Sequence, residues 1–382
     1  MYTEDLPSHA PGEYVPYGQR SYYSPDELPP EINLDLDDEF SRTLQDAIYH
    51  LGRLDGIANE SDSSPLLYTT LVRREAVESV LLEGAEIKLE DVFRSDELGS
   101  TDEVKKDVRE ALNYETVIQQ GVDSVSKTGQ ITLELLKDLH EELLDGVRGE
   151  CDTPGQFRQS PVHIPSPDPA QKPFVPPIPG KVPDLMTNLH HYLVTESEYH
   201  DLIDLGIVHY QFETIHPFGD GNGRLGRILI TLQLVRDGYL SEPYLYPSAY
   251  FNEHKVEYAR RMRAVSERGE WKEWIRFFVE GVKEQAKEAV ERTEELRRLK
   301  RRYESQYGHG KTAADRLALR LFEQPYLTTS DASDLLGMSD QTARNAIQEL
   351  VSDGILVEVT GKQRYREFKA VEIFDVLDRP LN

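Results

Sequence analysis

The stretch His216-Pro-Phe-Gly-Asp-Gly-Asn-Gly-Arg-Leu-Gly-Arg227 decides how the rest of the chain reads. Gly219, Gly221 and Gly223 permit positive φ, and Asn222 tolerates it, so the run predicts a turn. Such a turn can aim several backbone N–H groups at one point and form an anion-binding nest. Leu225, Ile228, Leu229 and Leu232 then recur at helical spacing, predicting a helix over Leu225–Arg236 whose N-terminus faces the turn. Arg224 and Arg227 share one face of its first turn, and two guanidiniums beside a nest suit a polyphosphate. Asp220, a carboxylate beside phosphates, implies Mg²⁺. His216 sits where the preceding helix ends, placed for a general base. Phe218 reads as a core anchor of the loop.

Working outward, Leu202, Leu205, Val208 and Phe212 form the buried stripe of a helix over Asp201–Ile215 that delivers His216. His209 reads as a packed or surface histidine. Further helices are predicted over Val182–Leu193, Thr132–Leu144 and Asp102–Gln120. Residues 149–179 are rich in Pro and Gly and carry no helical period. Leu66–Leu82 reads as a helix ending at Glu83-Gly84, with Ser79 and Glu83 on one face and Gly84 as the cap. A helix starts near Asp37, with Phe40, Leu44, Ile48 and Leu51 at helical spacing. Residues 1–36, rich in Tyr, Pro and Ser, read as an extended arm.

Downstream, Tyr250–Val265 and Trp271–Leu299 read as long helices, and Trp271 and Trp274 as anchors. Residues 287–303 are almost wholly charged, which predicts a solvated helix leading out of the first domain. The C-terminal segment reads as helix 313–322, a short helix to Leu336, a turn at Gly337 and a helix to Val351, then strands 355–359 and 364–368. This order resembles a winged helix-turn-helix. Its second helix exposes Gln341, Arg344 and Asn345, and its hairpin carries Lys362, Arg364 and Arg366. The segment is net acidic, so DNA and protein both remain open as its partner.

The chain has 382 residues and a net charge of −26, which argues against broad binding to nucleic acid or anionic membrane. Abundant Asp and Glu with few Lys point to a halophilic source, where salt screens the self-repulsion. Its single cysteine, Cys151, allows no intrachain disulfide. No basic end with an apolar run opens the chain and no stretch reaches membrane-spanning length, so a cytoplasmic protein is expected.

The 216–227 stretch resembles the Fic-family signature H-x-F-x-[D/E]-G-N-G-R-x-x-R, with every defined position filled. Ser79, Glu83 and Gly84 resemble the family's inhibitory motif [S/T]-x-x-x-E-[G/N], in the class that places it N-terminal to the core. Pro154–Arg158 and Phe174–Pro177 resemble the two arms of its flap, a β-hairpin that holds the target segment by strand addition. Tyr250 and Tyr258 resemble residues lining the adenine side.

The resemblance implies a mostly α fold: a Fic-type helical core with a small β-hairpin flap and a C-terminal winged helix-turn-helix. The expected divisions are an arm at 1–36, a helical subdomain at 37–120, the core at 121–286, a charged linker at 287–311 and the last domain at 312–382. It implies transfer of AMP from ATP to a Ser, Thr or Tyr hydroxyl of a protein, with Mg²⁺. His216 would be the base and Asp220 the metal ligand. Gly219, Gly221, Asn222, Gly223, Arg224 and Arg227 would hold the nucleotide, and Glu83 with Ser79 would inhibit. Two alternatives stay open: a DNA-binding regulator whose site senses nucleotide, and a de-AMPylase in which Glu83 activates water. Expected partners are a protein target, the chain itself as substrate or second subunit, and DNA, but no membrane.

Overall fold

The computed structural model describes residues 6–32, 34, 37–59, 65–94, 102–147, 153–361 and 365–379. Cys151, Lys362 and Arg364 lie outside the described residues. The helical body consists of α1 (Asp38–Ala58), α2 (Pro65–Leu82), α3 (Leu89–Phe93), α4 (Asp102–Thr128), α5 (Leu133–Leu143), α6 (Val182–Val194), α7 (Asp201–Ile215), α8 (Asn222–Arg236), α9 (Pro247–Glu253), α10 (Lys255–Arg268) and α11 (Trp271–Tyr307).

At its centre are α7 and α8. Apart from Asp201 and Asp204 in its first turn, every residue of α7 is buried, as is nearly all of α8, so neither shows a continuous polar face. Such all-round burial is what a central helix requires. Around this pair pack α2, α4, α5, α6 and α11. The long α11 runs beside α1 and anchors the body through Trp274, which is fully buried and donates Nε1–H to the Gly206 carbonyl at 2.9 Å. Asp37 caps α1 by accepting from the Phe40 N–H, and Thr132 caps α5 from Leu135.

Several expectations change. Residues 12–25 form an antiparallel hairpin, β1 (Gly12–Tyr17) and β2 (Arg20–Pro25), closed by Gly18-Gln19 with Gly18 at φ +62°. The division expected at 120 falls inside the continuous α4. The stretch Tyr250–Val265 is broken at His254 into α9 and α10. The 287–311 segment does not lead into solvent: α11 continues to Tyr307 and buries Ala289, Val290, Leu296, Leu299, Tyr303 and Tyr307. Its Glu and Arg residues ring an apolar stripe that packs on α1 and on the C-terminal domain.

That domain comprises α12 (Ala313–Arg320), β3 (Tyr326–Thr328), α13 (Thr329–Leu336), α14 (Asp340–Ser352), β4 (Leu356–Glu358), β5 (Glu367–Ala370) and α15 (Val371–Leu377). Its sheet has the order β3-β5-β4, all antiparallel. The α13–α14 turn uses Gly337 at φ +62°. Both β3 and α15 go beyond the sequence reading.

Candidate functional site

Helix α7 ends in an abrupt reversal. His216 adopts φ +50°, ψ +63°, a left-handed conformation costly for a side chain larger than glycine. Its backbone is clamped: the Arg158 Nε–H donates to the His216 carbonyl at 2.7 Å, and Arg158 Nη2 donates to the carbonyls of Pro177 and Ile215 at 2.6 and 3.3 Å. On the ring, Nδ1 lies 3.3 Å from the Glu213 carbonyl, which can only accept. The proton therefore sits on Nδ1 and the lone pair on Nε2. Burial first, and then the Arg158 charge, lowers the His216 pKa to about 4. A neutral imidazole with a free Nε2 is the form a base needs.

The loop is fastened from inside. The Asn222 amide accepts from the Phe218 N–H at 2.8 Å and donates to the Phe218 carbonyl at 3.0 Å. Both ends of that side chain thus serve the loop. The helix α8 starts at Asn222, before the expected Leu225, so Gly223 and Arg224 sit in its first turn. Phe218 is fully buried, as an anchor should be, and stacks on His140 with ring centroids 3.8 Å apart. His140 accepts the Gly155 N–H at Nδ1 and therefore donates Nε2–H to the Asp220 carbonyl, at 2.9 and 2.8 Å. Burial, with Arg224 nearby, lowers its pKa to about 4.

The two arginines differ. Arg224, only 3% exposed, lies 3.1 Å from Glu110 and 3.6 Å from Asp220. Its Nε and Nη1 nonetheless find no well-directed acceptor. Buried N–H groups left so are costly, and an anion would satisfy them. Arg227, 2% exposed, is engaged through Nε and Nη2: Nε donates to Ser79 Oγ at 2.9 Å, and Nη2 donates to the Ser79 carbonyl at 3.0 Å and to Glu83 Oε1 at 2.8 Å. The guanidinium is divided between Ser79 and a single Glu83 oxygen. Burial opposes ionisation of Glu83, yet the Arg227 charge and hydrogen bond hold its pKa below the ordinary value. Glu83 lies in the turn that closes α2, where Gly84 at φ +100° requires glycine. The carboxylate sits over Gly223, where a β-carbon would meet Glu83 Oε1 at 2.3 Å.

Asp220 is more open, 37% exposed, with Oδ1 accepting from the Gly221 N–H at 2.7 Å. Among the described residues no cluster of three or more metal-ligating side chains occurs. One open carboxylate beside a phosphate site still fits Mg²⁺, which takes few protein ligands and completes its shell with phosphates and water.

Beside the loop opens a cavity lined by Ile164, Phe174, Glu213, Thr214, Tyr258 and Met262 among others. Ile164 and Phe174 exchange two backbone hydrogen bonds of 2.9 Å, and this single bridge forms the flap. Pro154–Arg158 is thus the seat of the loop rather than a flap arm. Tyr258 reaches the cavity and bonds His209 at 2.8 Å, and His209 is fully buried. Tyr250 packs away from it, against His254 and Phe277. Arg158, His140 and Glu213 were not found by sequence reasoning. Glu213 alone left a signal, as the one acid in the apolar half of α7 that precedes His216.

Comparison with known proteins gives the same answer as the geometry. Residues 130–234 match the Fic/DOC family, and residues 41–123 match the Fic/DOC family N-terminal region. The chain is 31% identical over 156 residues to a Protein adenylyltransferase Fic of Drosophila virilis, covering 40% of this chain. It is 30% identical over 161 residues to one of Culex quinquefasciatus, covering 41%. In both cases the match spans 28% of the relative's length. A crystal structure of a Fic family protein from Desulfovibrio desulfuricans superposes with a TM-score of 0.56 at 22% identity, covering 86% of this chain and 95% of that one. That likeness speaks for the fold.

Proposed function

The chain belongs to the Fic/DOC family, and from that premise we propose that it transfers AMP from ATP to a hydroxyl of a protein. The observation that carries this reading is the pairing of a base-ready His216 Nε2 with the buried Arg224 guanidinium, whose Nε lacks an acceptor, on one loop. A base and an anion site at the two ends of one loop are what attack on a bound triphosphate requires. The hydroxyl oxygen would bond to the α-phosphorus as the bond to pyrophosphate breaks, with the hydroxyl proton passing to Nε2 of His216. Backbone N–H groups at the α8 N-terminus would meet the α-phosphoryl charge. Arg224 and, once free of Glu83, Arg227 would hold the departing pyrophosphate. Asp220 would hold Mg²⁺, which supplies charge neutralisation on the phosphates.

The flap edge at Ile164 and Phe174 would receive the target segment, and the cavity beside Tyr258 the nucleoside. Glu83 occupies the group that the terminal phosphate needs, which makes the resting form inhibited. The test is incubation with α-labelled ATP and Mg²⁺, for parent, Glu83→Gly and Glu83→Gly/His216→Ala proteins. Label should be strong in the single variant, weak in the parent and absent in the double. Equal label in all three would overturn the assignment of both residues.

A further inference from the structure

Glu83 is bracketed by contacts to the C-terminal domain. Upstream on α2, Arg74 is 8% exposed and donates Nη1–H to the Leu377 carbonyl at 2.5 Å, with Glu78 3.9 Å away. Downstream, α3 and its C-cap Arg94 carry the next contacts. Glu90 pairs with Lys369, Arg94 reaches Glu367 at 2.7 Å and lies over the Tyr326 ring at 5.6 Å, and Phe93 meets Phe374 with centroids 5.6 Å apart. The same end of α15 is also fixed to α11. Arg292, 0% exposed, donates to the carbonyls of Val376, Leu377 and Arg379, and Arg379 pairs with Glu295 at 2.9 Å.

The chemistry explains why these contacts hold. The last carbonyls of a helix lack partners within it and carry the negative end of its dipole. At the end of α15 two buried guanidiniums meet them, one from α2 and one from α11. Withdrawing α15 would take the Leu377 carbonyl from the Arg74 guanidinium, leaving Glu78 and Glu288 as the acids near it. The domain therefore fixes α2 about 13 Å along its axis from Glu83, at 1.5 Å per residue. It fixes the chain again directly after the Glu83 turn.

We propose that the C-terminal domain is a clamp that holds Glu83 on Arg227, so that displacing the domain opens the nucleotide site. The proposal rests on the reading of Glu83 as inhibitory. A helix pinned on both sides of its functional turn has one resting position, and loosening either pin lets the turn move. The coupling travels through α2 and α3, not through the core pair α7 and α8.

Two variants of the full chain test it. Arg74→Met removes the Leu377 contact and keeps an apolar stem. Arg94→Glu, at a partly exposed position, sets like charges against Glu367. Hydrogen exchange is read at residues 79–88, together with AMP incorporation, in the parent and in the Glu83→Gly background. Both variants should speed exchange at 79–88 while α7 and α8 stay protected. Both should raise incorporation about 5-fold or more over the parent, within the usual range of site coupling. Neither should add to the level reached by Glu83→Gly.

Unchanged exchange at 79–88 in both variants, with both folded, would overturn the clamp. An increase that adds fully to that of Glu83→Gly would also overturn it, since the route would bypass Glu83. Faster exchange with no AMP incorporation in any variant, Glu83→Gly included, would uphold the clamp and refute the transfer reading.

Discussion

A β-carbon on Gly226 would lie 2.2 Å from Oε1 of Glu213. Gly226 is helical, so what it provides is room, not conformational freedom. Oε1 is buried and without a hydrogen-bond partner, and burial raises the Glu213 pKa to about 8 against the pull of Arg227. Near neutral pH the group is mostly protonated, one helical turn before His216. Gly226→Ala should push this carboxyl out of place and destabilise the fold by about 1–3 kcal/mol, as overpacking does. Glu213→Gln, which mimics the neutral acid, should lose less than about 1 kcal/mol. Thermal unfolding of the two variants checks the order, and a milder Gly226→Ala would contradict the steric argument.

The pH profile of the proposed AMP transfer follows from His216. Its pKa is lowered to about 4, so the base form is present above that value and is lost as pH falls through it. In the Glu83→Gly background, kcat/KM should be level from about pH 6 to 8 and decline only below about pH 5. An inflection near 6.5, the ordinary value for histidine, would mean that the ring is not held in this buried setting.

His140 offers a test of positioning. It touches Asp220 and Phe218 through its ring but lies outside the cavity lined by Ile164, Phe174 and Tyr258. His140→Ala should lower kcat more than it raises KM, because a loop displaced by a fraction of an ångström spoils in-line geometry. Losses of about 100-fold are in keeping with such errors. His140→Asn, which keeps one donor, should recover part of the rate. Equal loss in both variants would point to a packing role alone.

How much of this could be read from the chain depended on locality. The 216–227 loop was legible because its turn, its charges and its base lie within one short stretch. Helices α7 and α8 were placed by the helical spacing of Leu202, Leu205, Val208 and Phe212 and of Leu225, Ile228, Leu229 and Leu232, but that spacing marks one face only of helices buried on nearly all sides. The Asn222 amide was read as a ligand contact because side-chain bonds back to the loop depend on its path, which composition does not specify. Arg158 and His140 act across tertiary contacts from segments without a local signal. The end of α11 was misread because its charges dominate the composition, whereas Ala289, Val290, Leu296 and Leu299 already marked a buried stripe. The Ser79–Glu83 pair was legible only through resemblance; on spacing alone it is an ordinary helix face.

The last prediction concerns how α2 is seated. Glu75, 0% exposed, accepts from Tyr114 at 2.7 Å and from the hydroxyl and N–H of Ser248 at 2.5 and 3.1 Å, tying α2 to α4 and α9. Burial raises its pKa to about 7, although the bonds from Ser248 and Tyr114 pull the other way. In the unfolded chain it would titrate near the ordinary value of 4.5. Between those two values the native state therefore holds a proton that the unfolded state has released. Stability from this group is fully present below pH 4.5 and is lost as pH rises through about 7. Glu75→Gln cannot titrate, so its unfolding free energy should fall less steeply with pH across that window. The difference in slope should approach one proton, about 1.4 kcal/mol per pH unit. Denaturant titrations of parent and variant at pH 5, 6 and 7 measure it. Parallel curves would show that Glu75 stays ionised in the fold, held so by its three hydrogen bonds and by Arg227.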